Sequence, residues 1–330
     1  ASLLGAEPSE VIFTSGATES CNLAILGLAR AAGDSRRRIV TTPIEHKAVL
    51  LTLEWLKEDG FELTVLPVGP TGRVDLAVAS GLIDDRTLLV SVQAANNEIG
   101  TVQPLKELAE IAHDRGSVFH TDAAQAVGRV PIDLRDLAID LLSFSGHKMC
   151  GPKGIGALLI RRQTPRLSLA PLMAGGGQER GLRPGTPNVP GIVGLAMAAR
   201  ICAQEMEQEW SRVSALRDEF ECRVTDLVPT VTINGDRMNR LPGSTSLTFS
   251  GIPADALILN APDLALSTGS ACNSGALEPS RVLTAIGLSR EDADSTLRVC
   301  FGRFSATNEP ALAAEALHAA YRRLRALGLN

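Results

Sequence analysis

Between residues 37 and 162, short runs rich in Val, Ile and Leu alternate with longer stretches of helical spacing: RRIVTT, a helix near 45–58, FELTVLPV, TLLVSVQ, a helix near 104–115, SVFHT, DLLSFS and GALLIRR. Strands that are apolar along their length must be covered on both faces, and strands separated by helices pair in parallel. The pattern therefore predicts an α/β fold with a mostly parallel sheet flanked by helices. Ligands of such sheets bind beyond the carboxyl ends of the strands.

A chain of 330 residues is long for one domain, and at roughly 100 to 200 residues per domain two are expected. After the glycine-rich GGGQERGLRPGTPN (175–188), a helical pattern runs to about 228 and forms the bridge. The remainder reads as a smaller α+β unit: STSLTFS, a helix from Ala254, LALS, a helix near 278–286, TLRVCFGRFS and a terminal helix.

Composition narrows the partners. A net charge of -5 and a single short basic run, Arg36 to Arg38, leave no electrostatic footprint for nucleic acid or an anionic membrane. The small-apolar stretch GIVGLAMAA is far short of the roughly 20 residues a membrane span needs. Six cysteines without a CxxC pair or a Cys/His cluster indicate neither a metal site nor a disulfide framework, and reduced thiols fit a cytoplasmic protein.

Polar residues end the apolar runs: SGATES (15–20), PIEHK (43–47), ANNE (95–98), TDAAQ (121–125) and SGHK (145–148). Pyridoxal phosphate uses these residue types together, needing a lysine for its aldehyde, an acid for its pyridinium nitrogen and donors for its phosphate. Lys148, in a turn after a buried strand, is desolvated toward its nucleophilic neutral form. Asp122 is placed to pair with the ring nitrogen. Thr18 and the backbone N–H groups around Ala17 open a helix whose dipole favours an anion, and Ser145 and His147 add donors. GHKMCG has the spacing of a nucleotide phosphate loop, but Pro152 stands at the lysine position and no Ser or Thr follows Lys153.

The motifs SGATES, EHKAVL, NNEIGTVQP, FHTDAAQAVG, SFSGHK-x-x-GPKG, GGGQERGLRPGT and TGSACNSG followed by LEPS together resemble the cysteine desulfurases, class V members of the fold-type I pyridoxal-phosphate enzymes. The resemblance implies an aspartate-aminotransferase-like fold with a sheet of the seven-stranded type, a large cofactor domain over 1–207 and a small C-terminal domain over 208–330. It implies that the family's N-terminal segment is absent ahead of ASLLGAEPSEVIF, and that the enzyme is a homodimer. By the same resemblance Lys148 carries the cofactor, Asp122 pairs with its nitrogen, and Gln125 donates to its phenolic oxygen. His46 stacks on the ring and is suited to moving protons, although beside Glu45 and Lys47 it also reads as a helix start. Asn97 lies near cofactor and substrate, Thr18, Ser145 and His147 hold the phosphate, and Thr186 reaches the phosphate of the neighbouring subunit. Arg298 holds the substrate carboxylate, and Cys272 is the nucleophile. L-cysteine would become L-alanine, with a persulfide left on Cys272 for a sulfur-acceptor protein, as in iron–sulfur cluster assembly. Alternatives are another class V activity, such as selenocysteine lyase or an aminotransferase, and a non-catalytic scaffold built on the same fold. Cys21, Cys202, Cys222 and Cys300, inside helical or strand patterns, read as small buried hydrophobes.

Overall fold

A computed structural model describes residues 1–33, 36–162, 167–268 and 279–328. Two compact units are present, Ala1–Pro67 with Val74–Ala95 and Gln103–Met206, and Val68–Arg73 with Asn96–Val102 and Glu207–Asn330.

The first unit contains β1 (Val11–Thr14), α1 (Ala17–Ala31), β2 (Arg38–Thr41), α2 (Lys47–Glu58), β3 (Glu62–Val65), α3 (Leu76–Leu82), β4 (Thr87–Ser91), α4 (Leu105–Asp114), β5 (Val118–Asp122), β6 (Leu141–Ser145), β7 (Gly156–Ile160) and the start of α5 (Val189–Leu227). Its seven strands are ordered β1-β7-β6-β5-β4-β2-β3. β2 to β6 pair in parallel, whereas β7 runs antiparallel to both neighbours. The reason is the connection: a 3-10 turn, Gly146–Met149, and a short loop to β7 stand between the two strands, and without a crossover helix the chain can return only antiparallel. Because β1 is antiparallel to β7, it shares the direction of β6 and adds its carboxyl end to the same edge. β4, β6 and β7 are buried at every position, as uninterrupted apolar runs require. The sequence reading omits α3 and, in the second unit, the short strand Thr232–Asn234 and the short helix Arg290–Asp294.

In the second unit the rest of α5 joins β8 (Thr232–Asn234), β9 (Ser244–Thr248), α6 (Ala254–Asn260), β10 (Ser267–Thr268), α7 (Arg281–Ala285), α8 (Arg290–Asp294), β11 (Thr296–Cys300) and α9 (Glu309–Ala326). A four-stranded antiparallel sheet, β10-β11-β9-β8, packs Leu247, Phe249 and Leu297 with Phe220 of α5 and Leu317 of α9. The sequence reading assigns 68–73 and 96–102 to the first domain, but their backbone partners are in this unit. Val102 N–H donates to Asn239 O and Leu241 N–H to Gly100 O, each at 2.8 Å. Thr101 Oγ1 donates to Thr71 O at 2.7 Å and accepts from Asp236 N–H at 3.0 Å. Asn97 therefore folds with Arg298. Among the described residues no helix is long and apolar enough to cross a membrane. Cys222 and Cys300 are exposed, unlike Cys21 and Cys202; Cys222 faces outward on α5, and Cys300 is the last residue of β11.

Candidate active site

Asp122 ends β5 and is buried. Burial pushes its carboxyl up from the ordinary range, and the Ala124 N–H bond at 2.9 Å, the charges of His46 and Lys148 and the Cys21 thiol pull it back. Lys148 and His46 thus act electrostatically on the one carboxylate. Lys148 sits half-buried in the 3-10 turn after β6. Arg129 Nη2 donates to the Lys148 carbonyl at 3.1 Å and Arg129 Nη1 to Gln125 Oε1 at 3.1 Å. This clamp, absent from the sequence reading, ties Gln125 to the lysine turn. With the oxygen engaged by Arg129, the NH2 group is the donor the amide still has to offer.

The anion end is built at the junction of α1 and β6. α1 begins at Gly16 (φ 156°, ψ -178°) without a side-chain cap, so its first N–H groups and its positive dipole end are presented together. A Cβ on Gly156 would lie 2.6 Å from the Gly16 Cα and 2.5 Å from the Phe144 carbonyl oxygen. Only glycine lets β7 approach so closely, and this brings Ser145 Oγ to within 3.6 Å of where a Gly16 Cβ would stand. Ser145 Oγ hydrogen-bonds His147 Nδ1 at 2.8 Å. Burial and the cationic Lys148, Lys153 and Arg129 hold His147 below its usual pKa. The positive surroundings that disfavour an imidazolium favour a phosphate dianion. Ala17 is half-buried and Thr18 exposed at this terminus. Thr186 is exposed, and its segment is tied to α1 through Arg183 Nε to Glu19 Oε1 at 2.9 Å.

His46 caps α2, its Nδ1 accepting from Ala48 N–H at 3.1 Å. An accepting Nδ1 leaves the ring proton on Nε2. Before it, Glu45 is buried, with Oε1 accepting from Thr42 Oγ1 at 2.6 Å and Gln93 N–H at 3.0 Å, while Oε2 has no hydrogen-bond partner. Burial raises its pKa to about 8. A carboxyl that is more basic folded than unfolded stabilises the fold fully below its unfolded pKa of about 4.3, and the contribution is lost as pH rises toward the folded value. Replacing Glu45 by glutamine should flatten the fall in unfolding free energy across this window, at up to about 1.4 kcal/mol per pH unit. Urea titrations at successive pH values test this, and parallel profiles for the two proteins would refute it.

In the second unit Arg298 Nη1 donates to the Asn97 carbonyl at 3.0 Å, committing one of its five donors. Glu98 Oε2 accepts from Ser280 Oγ at 2.5 Å, and burial raises Glu98 to about 7 against the pull of Ser280 and Arg298. Cys272 lies outside the described residues.

The profile of the aminotransferase class-V family matches residues 1–310. The chain belongs to the aminotransferase class-V family. Among class-V relatives, it is 48% identical over 309 residues to cysteine desulfurase IscS of Rickettsia bellii, covering 94% of this chain and 75% of that one. A solved NifS-like protein superimposes with a TM-score of 0.89 at 36% identity, over 98% of this chain and 85% of that one. A structure described as SspA in complex with cysteine gives 0.79 at 39% identity, over 93% and 85%. The class-V fold thus accounts for the mostly parallel seven-stranded sheet and the smaller second sheet. The class-V unit brings Asp122, Lys148, His46, Gln125, Ser145 and His147 to the carboxyl edge of one sheet, and Asn97 and Arg298 together in the other unit. Arg129 and the Gly16–Gly156 contact were missed; an arginine four residues after Gln125 was the available signal for the first.

Proposed function

We propose that the chain is a cysteine desulfurase that uses pyridoxal phosphate. The observation that carries the reading is a buried carboxylate, Asp122, on which the charges of His46 and Lys148 act, in the unit whose uncapped α1 start adjoins Ser145. This donor set fits the cofactor, which when bound supplies an electron sink for the substrate Cα. The N–H groups of Ala17 and Thr18, the Thr18 hydroxyl, Ser145 and His147 would hold the phosphate. Asp122 would pair with the ring nitrogen, Gln125 would donate to the phenolic oxygen, and His46 would stack on the ring.

Lys148 would bind the aldehyde carbon and then, displaced by the substrate amine, take the Cα proton as general base. Arg298 would grip the carboxylate of L-cysteine with paired donors, beside Asn97. The Cys272 thiolate would attack the substrate sulfur; an S–S bond forms, the substrate carbon–sulfur bond breaks, and its electron pair stays with the carbon skeleton, which is protonated to L-alanine. A persulfide remains on Cys272 for an acceptor protein. Exposed Val189, Val193 and Met197, spaced on one face of α5, support a homodimer in which Thr186 serves the neighbouring subunit. Scattered free thiols support a reducing, cytoplasmic location.

Purified protein incubated with pyridoxal phosphate, L-cysteine and a thiol reductant should yield alanine and sulfide in equal amounts. Cys272→Ala should lose this turnover while keeping the bound chromophore. Alanine without sulfide, or neither product, would contradict the reading.

A further inference from the structure

Behind Asp122 a buried polar chain crosses three parallel strands. His120 of β5 is fully buried, with Nδ1 2.8 Å from Ser91 Oγ of β4 and Nε2 3.0 Å from Ser143 Oγ of β6. Ser91 is the register partner of His120, and Ser143 that of Asp122. On α1, the Cys21 thiol is fully buried, and both neighbours act on its titration, Asp122 pushing it up and Ser143 pulling it down. We propose that Ser91, His120, Ser143 and Cys21 form a one-way chain of hydrogen-bond donors that ends on Asp122 and holds its carboxylate ionised opposite the cofactor's ring nitrogen.

The direction follows from counting protons. An ionised Asp122 can only accept, so the Cys21 S–H points to it. The sulfur then has only acceptor capacity for Ser143, whose single hydroxyl proton is directed to it. Ser143 Oγ must in turn accept from His120, which places the imidazole proton on Nε2. Nδ1 is left to accept from the Ser91 hydroxyl. Burial pulls His120 down to about 3, so it carries the single ring proton this scheme requires. Burial and the Asp122 charge push the Cys21 thiol well up, so it stays a donor. Every dipole in the row points toward the carboxylate, and each donor polarises the next.

Cys21 and His120 are accordingly positioning residues that act through Asp122. The proposal rests on the reading of Asp122 as the ring-nitrogen partner, and its test separates the two. Dissociation constants are measured for apoprotein with pyridoxal phosphate and with the analogue in which the ring nitrogen is replaced by C–H. Wild type should prefer the natural cofactor; equal affinities would overturn both the Asp122 reading and the proposal. Cys21→Ala should lose about tenfold of that preference, the low end for a hydrogen bond to a charged group, while Cys21→Ser, which keeps a donor, retains most of it. Equal weakening toward both ligands, or an unaltered preference, would overturn the donor chain alone. Nitrogen-15 NMR of wild-type protein gives a second reading that needs no variant: the buried, non-titrating histidine should be protonated at Nε2 and bare at Nδ1. The opposite tautomer would refute the proposal.

Discussion

Lys148→Ala should lower cysteine turnover by at least about 10³-fold, within the range a positioned proton-transfer group contributes, and should leave the protein folded. The fold is spared because Lys148 stands in a half-buried turn held by its backbone: Arg129 grips its carbonyl, and the Gly151 N–H bonds Gly146 O at 2.9 Å. The loss is large because one amine has two tasks, binding the aldehyde and moving the Cα proton. Lys153, exposed in the same loop and adding only to the positive field at the phosphate end, is the internal comparison, and its alanine variant should lose far less turnover at saturating cofactor. Sulfide release measured beside the thermal midpoint separates the two outcomes. A Lys148→Ala protein retaining a tenth of the activity would contradict the assigned role.

The largest effect on stability is expected at Glu221. In the second unit it is 3% exposed and takes two bonds from Arg240, 7% exposed, at 2.6 and 2.9 Å. Glu221→Ala would leave a guanidinium buried without its carboxylate, at a cost of about 3–5 kcal/mol. Asp218 is a poor substitute, since it meets Arg240 at 3.5 Å and is 58% exposed on its side chain. Arg240 also pairs with Thr101, and its neighbours Asn239 and Leu241 bind Val102 and Gly100, so the strain passes to the segment carrying Asn97. Urea denaturation measures the loss. Paired replacement of Glu221 and Arg240 by leucine and methionine should recover much of it, because no charge is then stranded; a single-variant loss below about 1 kcal/mol would place the pair among the weak surface type.

The sequence carried the sheet core because β4, β6 and β7 are mostly apolar and buried at every position, and burial on both faces leaves that mark. It carried the strand-end residues because polar groups interrupt those runs abruptly. β8 was missed since TIN is three residues long, and nothing in so short a run distinguishes a strand from a loop. The placement of 96–102 with 239–241 was invisible for a different reason: the pairing spans about 140 residues and runs through backbone groups, which every residue type shares. The bland reading of Cys21 as a buried hydrophobe described its burial and missed its neighbours, since proximity to Ser143 and Asp122 arises only when α1 lies across β5 and β6. His46 met its reading as a helix start, capping α2 through Nδ1.

The central claim is that Lys148 and Asp122 serve a single pyridoxal phosphate, and the most direct test is chemical mapping. Protein loaded with the cofactor is reduced with borohydride, digested, and the peptide bearing the added mass is sequenced by mass spectrometry. The adduct should lie on Lys148, with Asp122→Asn protein yielding markedly less of it at the same cofactor concentration. An adduct on Lys153 or another lysine, or none at saturating cofactor, would contradict the account.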